Sequence, residues 1–173
     1  VNAVWRALPV PVIAVVHGHC FGAGLQLAAN ADFRFTTPDA KWSILEAKWG
    51  LVPDMGGTVP FAELLRTDVL MRLALTGEVI SGEEAARLGL ATGVGEDPHA
   101  DALALAEAII ARSPDSVAAT KRLVLATRRG SVRRAFRLER RLQSAMFKSA
   151  NTTIARKAGA DGSEPTFGPR TVD

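Results

Sequence analysis

No stretch of this chain strings together the roughly 18 apolar residues that a bilayer-spanning helix needs. Nor does a charged-then-apolar segment open it in the manner of a secretion signal. Both absences point to a soluble protein with no membrane partner. Cysteine is nearly absent: Cys20 is the single one, so no internal disulfide can form. Its apolar neighbours read as the setting of a small buried hydrophobe, which fits a reducing compartment and a cytoplasmic location better than a nucleophilic role. There is no initiating methionine. Val1, Val4, Trp5 and Leu8 fall at helical spacing with nothing before them to cap the helix, so the chain is expected to open inside an element whose start is missing.

Acidic residues are scarce in one segment. Lys121, Arg122, Arg128, Arg129, Arg133, Arg134, Arg137, Arg140 and Arg141 crowd there against Glu139 alone, although the net charge of the chain is only +3. Such a cluster suits phosphates of a nucleic acid or of a phosphorylated ligand, or a solvated helix face. Aromatic residues do not interleave with these arginines as base stacking requires, which makes nucleic acid the least favoured of the three.

What is present is a globular composition: 173 residues, 47% of them apolar and 23% charged, for which one domain is the prior. Such a domain would bury roughly 70% of the surface its unfolded chain exposes. Pro9 and Pro11 end the first helix, and Val10–Val16 reads as a strand buried on both faces. Gly18, Gly22 and Gly24 make a turn into a helix over Gly24–Ala31. Phe33–Thr36 and Lys41–Ile44 follow as strands, and Leu45–Gly50 leads into the loop "LVPDMGG". Phe61–Leu65 and Asp68–Leu75 read as helices, and Ser81 with Glu84 three residues on forms a capping pair. Leu90–Val94 is a last strand. Asp101–Ala111, Pro114–Thr127 and Ser131–Phe147 are amphipathic helices, and the Gly- and Pro-rich chain after Ile154 is expected to be irregular. Strand–turn–helix units before a helical half indicate α/β layering.

Two places can carry chemistry. At Gly22–Ala23–Gly24 a glycine turn opens a helix, whose unpaired amides stabilise negative charge. The alternative is a tight turn that only lets helix and strand pack closely. The spacing is neither a Rossmann fingerprint nor a Walker loop. Glu46 and Asp54, eight residues apart, flank "AKWGLVP" and can converge on one cleft, where partial burial would raise a carboxyl pKa to a useful range. Loop carboxylates also serve as solvated caps. Trp42 and Trp49 nearby suit either core or ligand wall.

Taken in order, "PVIAVVHGHCFGAGLQLAANADFRF", "AKWSILEAKWGLVPDMGGT" and "LALTGEVISGEEAARLGLA" closely resemble the crotonase, or enoyl-CoA hydratase/isomerase, superfamily. The resemblance implies an α/β fold of the crotonase-like (ClpP/crotonase) kind, a spiral of ββα units with a C-terminal helical trimerisation region, here N-terminally incomplete. Residues 1–97 would be the C-terminal portion of the spiral core, 98–154 the trimerisation region and 155–173 an irregular tail. It further implies coenzyme A thioester substrates, a homotrimer or homohexamer, and no metal or separate cofactor, coenzyme A being part of the substrate.

By position the resemblance makes the Ala23 amide one of two oxyanion donors, the other coming from an earlier segment that this sequence lacks. It makes Gly22, Gly24, Trp49 and Phe167 substrate-binding. The second hydratase glutamate aligns with Glu46, while the first aligns with Gln26, which can orient water but cannot accept a proton near neutral pH. Asp54 matches a loop aspartate of the dienoyl-CoA isomerases that works opposite the glutamate. The expectation is therefore an enzyme on an unsaturated fatty acyl-CoA, with Glu46, Asp54 and Gln26 in the catalytic group and isomerisation favoured over hydration. The alternative is a non-catalytic crotonase-like subunit with a structural or binding role. His17 and His19 are left as turn residues.

Overall fold

The computed structural model describes residues 4–128 and 130–172; Val1 of the expected helical stripe and Arg129 of the basic cluster lie outside the described residues. The chain forms two compact units: Val12–Ala104 with the segment ending at Leu8, and Leu105 onward with Pro9–Pro11.

In the first unit a short helix α1 (Val4–Ala7) precedes six strands that build two sheets. Strands β1 (Ile13–Val16), β3 (Phe33–Thr36) and β6 (Gly93–Val94) form one, in the order β1-β3-β6 and all parallel. Strands β2 (His19–Phe21), β4 (Lys41–Ser43) and β5 (Ile80–Ser81) form the other, β2 and β4 parallel, β4 and β5 antiparallel. The chain runs β1, β2, helix α2 (Ala23–Ala29), β3, β4. Each successive turn thus lays one strand on each sheet, which is the ββα spiral. Registers Ile13 to Phe33 and His19 to Lys41 fix one turn over the last. Trp42, with no exposed surface, ties the sheets together by donating from Nε1 to Thr36 Oγ1 at 3.1 Å. Around it Leu25, Ala29, Ile44, Phe61, Leu73 and Leu90 make the core.

The strand expected over Val10–Val16 is shorter because the Asp32 carboxylate takes the Val12 amide at 2.7 Å and Pro9–Pro11 belongs to the other unit. The glycine turn is not all turn: Gly18 (φ 63°) and Gly22 (φ 51°) bracket β2, whose three residues pair with β4. The strand expected over Leu90–Val94 shrinks to its last two residues. The Leu90 and Ala91 amides instead close the end of helix α5 (Gly82–Leu88) on the Ala85 carbonyl. Arg34, buried, braces the same corner by donating from Nε to the Leu90 carbonyl at 2.7 Å; burial pushes its guanidinium down to about 10, against the pull of Asp32.

Helices α3 (Thr58–Leu64) and α4 (Thr67–Thr76) complete the first unit, and α6 (Pro98–Ile110) runs across the boundary. The second unit is built on α7 (Pro114–Thr127), α8 (Val132–Met146) and α9 (Ala150–Asp161). Serines cap all three, Ser113, Ser131 and Ser149, each oxygen accepting an amide of the first turn. The irregular tail expected from 155 is corrected here: α9 continues to Asp161 and stops at Gly162 in the left-handed conformation (φ 68°). Ala155, Ala158 and Ala160 are strong helix formers and outweigh the cost of about 1 kcal/mol for Gly159. No helix among the described residues is long and apolar enough to cross a membrane.

Candidate active site

The site is assembled where β2 hands over to α2. Gly22 donates its amide to the Ser43 carbonyl at 3.0 Å, extending the β2–β4 pairing by one bond, and its carbonyl accepts the Gln26 amide at 2.9 Å as the first helical bond. The positive φ of Gly22 turns the chain so abruptly that Ala23 and Gly24 stand exposed at the helix start, where backbone donors have no partner within the helix. Ala23 keeps a negative φ, as every described non-glycine residue does.

Glu46 comes from the other side. It sits in a short 3-10 turn, Leu45–Trp49, that follows β4 and ends on Gly50 in the left-handed conformation. Its carboxylate lies against the glycine turn: a Cβ on Gly22 would stand 3.4 Å from Glu46 Oε1. Oε1 accepts a hydrogen bond from Gln26 Nε2 at 2.6 Å, whereas Oε2 is buried and has no hydrogen-bond partner among the described residues. A buried carboxylate oxygen left without a donor is costly in an ordinary core. It is suited to a group that must take up a proton from a ligand.

The loop that carries Asp54 is held down by α2. Gln26 Oε1 accepts the amides of Met55 (2.8 Å) and Gly57 (3.0 Å), and Asn30, one turn further along the helix, donates to the Gly56 carbonyl at 3.1 Å. Asp54 itself is exposed. Of the residues expected to act together, Gln26 and Glu46 meet and Gly22 lies against Glu46; Ala23 follows Gly22 at the helix start, and Asp54 is exposed in the loop that Gln26 holds. Trp42 is core, whereas Trp49 is 74% exposed. Cys20 is buried in the same core, and burial pushes its thiol up to about 11, so it is no nucleophile. The part of Asn30 in holding this loop, by contrast, was not visible from the sequence.

In the second unit Phe167 is half-buried, next to Gly168, whose amide donates to Asn151 Oδ1 at 2.9 Å. The tail beyond it is fastened to a fully buried carboxylate that the sequence did not single out. Asp115 Oδ1 accepts the amides of Thr171 (2.5 Å) and Val172 (2.8 Å). Its Oδ2 accepts from Ser149 Oγ (2.6 Å), Asn151 Nδ2 (2.9 Å) and Thr171 Oγ1 (3.2 Å). Burial alone would raise its pKa, but the bonds from Ser149, Thr171, Asn151 and Val172 together hold it well below the usual carboxylate range. The described arginines of the basic cluster are exposed along α7 and α8, and Lys121 donates to the Val10 carbonyl at 2.9 Å.

A sequence model described as enoyl-CoA hydratase/isomerase matches residues 3–168. Among curated proteins the chain is 38% identical over 113 residues to (E)-benzylidenesuccinyl-CoA hydratase of Thauera aromatica, a match covering 64% of this chain and 44% of that protein. It is 37% identical over 130 residues to carnitinyl-CoA dehydratase of Salmonella arizonae, covering 73% and 49%. Among solved structures, an enoyl-CoA hydratase from Polaromonas sp. JS666 superposes with a TM-score of 0.91 at 28% identity, covering 96% of this chain and 66% of that one. The chain spans about half the length of the curated relatives it matches.

Proposed function

Because the chain belongs to the enoyl-CoA hydratase/isomerase family, we propose that the protein shifts a double bond in an unsaturated fatty acyl-CoA thioester, with Glu46 carrying the proton. The observation behind this reading is the Glu46 carboxylate, pressed against the Gly22 turn with one buried oxygen unpartnered among the described residues. The thioester oxygen accepts the Ala23 amide, and the positive end of α2 favours the charge that develops there. Oε2 takes a proton from carbon 2 of a 3-enoyl thioester, and the electron pair delocalises as a dienolate. The same carboxyl group returns the proton to carbon 4, leaving the conjugated 2-enoyl thioester. One oxyanion donor contributes about 3–4 kcal/mol to such a barrier; a second is the part of the family's machinery expected from an earlier segment.

Reversible hydration is the second reading, favoured by the two relatives above, a hydratase and a dehydratase. Asp54 extends the first reading to dienoyl chains: Glu46 takes the proton from carbon 2 and Asp54 returns one at the distant end of the conjugated chain. On either reading Gly22, Gly24 and Trp49 contact the acyl-CoA, coenzyme A is part of the substrate, and the assembly is a homotrimer or homohexamer in the cytoplasm.

The test uses the intact protein with 3-enoyl-, 2-enoyl- and dienoyl-CoA, following the conjugated thioester by absorbance. Glu46→Gln is expected to lower turnover by about 100-fold or more, the usual worth of a positioned acid–base group. Asp54→Asn should affect only the dienoyl substrate. Turnover undiminished in Glu46→Gln overturns the assignment. No turnover by the unsubstituted protein favours the non-catalytic subunit instead.

A further inference from the structure

Gln26 occupies the position where the proton chemistry of the site would gain most from a second carboxylate, yet its surroundings are those of a fully engaged amide. The side chain is 1% exposed. Its oxygen accepts two backbone amides, Met55 and Gly57, which uses both lone pairs. Because those two partners are donors, the atom facing them has to be the oxygen, and the amino group is thereby turned toward Glu46, an acceptor. No lone pair remains on Gln26 to hold a water for attack on a double bond.

The clamp involves the backbone on both sides. Asn30, at the i+4 position on the same helix face, donates to the carbonyls of Gln26 (2.8 Å) and Gly56 (3.1 Å), so residues 55, 56 and 57 are each held by α2. The loop lies flush on the glutamine stem: a Cβ on Gly57 would fall 2.5 Å from Gln26 Cγ. We infer that Gln26 is a positioning residue for Glu46, its amino group occupying Oε1 so that Oε2 is left as the oxygen that moves the proton. A glutamate in its place would still accept the loop amides but would present no donor to Glu46.

This inference rests on the reading of Glu46 as proton carrier, so its test separates the two. In the intact protein Gln26→Glu keeps the acceptor for the loop and removes the donor to Glu46; Gln26→Leu removes both. Since a hydrogen bond to a charged group is worth about one to two powers of ten, Gln26→Glu should lower kcat at least about tenfold. KM should stay within about twofold, and amide exchange at Met55 and Gly57 should be unchanged. Gln26→Leu should lose kcat equally and speed exchange at both amides by about tenfold or more. A Gln26→Glu variant as active as the parent, or one that gains hydratase turnover, overturns the inference, because the position then tolerates or uses a second carboxylate. So does unchanged exchange in Gln26→Leu. If the parent protein turns over no substrate, the side-chain amide resonances of Gln26 decide. A shift on Glu46→Ala sustains the contact while the enzymatic reading fails, and no shift overturns the contact itself.

Discussion

Asp115 is the residue whose loss the second unit should feel most. Its carboxylate has no exposed surface and accepts from five donors, two of them amides of the tail at Thr171 and Val172. Hydrogen bonds to a charged group are worth about 1.5–3 kcal/mol each, but donors sharing one acceptor do not add. A buried donor left unsatisfied costs about 1–3 kcal/mol, and removing the carboxylate orphans several at once. Taking about 3 kcal/mol and a urea slope of about 2 kcal/mol/M, Asp115→Ala should lower the unfolding midpoint by about 1.5 M. Asp115→Asn keeps the volume but turns an amino group toward the Asn151 amide, so a loss of about 2 kcal/mol is expected. Far-ultraviolet circular dichroism reads both, since α7, α8 and α9 dominate this unit. The sign of the pH dependence follows from a native carboxyl held below its ordinary value. Its contribution is complete above the unfolded carboxyl value of about 3.9 and is lost as the pH falls from there toward the native value. The parent protein should therefore lose stability on acidification more steeply than Asp115→Asn. Midpoint shifts below about 0.5 M in both variants, or parallel acid profiles, would refute the role assigned to this carboxylate.

Two further outcomes bear on the first unit. Gly57→Ala should destabilise by about 1–3 kcal/mol in urea unfolding followed by tryptophan fluorescence, because its Cβ would meet Gln26 Cγ at 2.5 Å and Phe61 Cε2 at 2.8 Å. The backbone there has φ −79°, so crowding and not strain is the cause, and a neutral substitution would mean that the loop does not lie on Gln26. Cys20, buried and with its thiol pushed up to about 11, should resist a disulfide reagent at mildly alkaline pH and react in urea in step with unfolding. Rapid labelling of the native protein would contradict its place in the core.

The fold was legible where a signal repeats or is chemically unambiguous. Pro114 after Ser113 marks the start of α7 to the residue, and Ser81 accepts the Glu84 amide at 3.1 Å as the capping pair predicts. The three quoted blocks carried the spiral itself. What escaped was short or local. β2 has three residues, too few to show a period, and it exists because β4 offers a parallel edge some twenty residues later in the chain. The tail was read as irregular from its Gly and Pro content, but all of those residues except Gly159 lie at or beyond Gly162, and the alanines before it are helical.

The candidate site was legible as letters and not as bonds, and the reason is physical. Gln26 stands out by type, yet its partners are 20 to 31 residues away. Asp115 looks like an ordinary first-turn acid complementing a helix dipole, and nothing nearby announces that Thr171 and Val172 will reach it. Both cases follow from one requirement. An irregular segment packed against the fold cannot satisfy its own amides and must be given acceptors from elsewhere. The loop 55–57 finds one in the oxygen of Gln26, the tail in the carboxylate of Asp115. The choice of side chain then differs for a chemical reason. The tail presents only donors to Asp115, so a carboxylate serves. At position 26 the loop presents donors on one side and Glu46 an acceptor on the other, and among side chains of that length only glutamine offers both an oxygen and an amino group. The absence of a carboxylate at position 26 and the anchoring of the loop are thus the same fact, and a substitution that placed an acid there would leave Glu46 facing another acceptor.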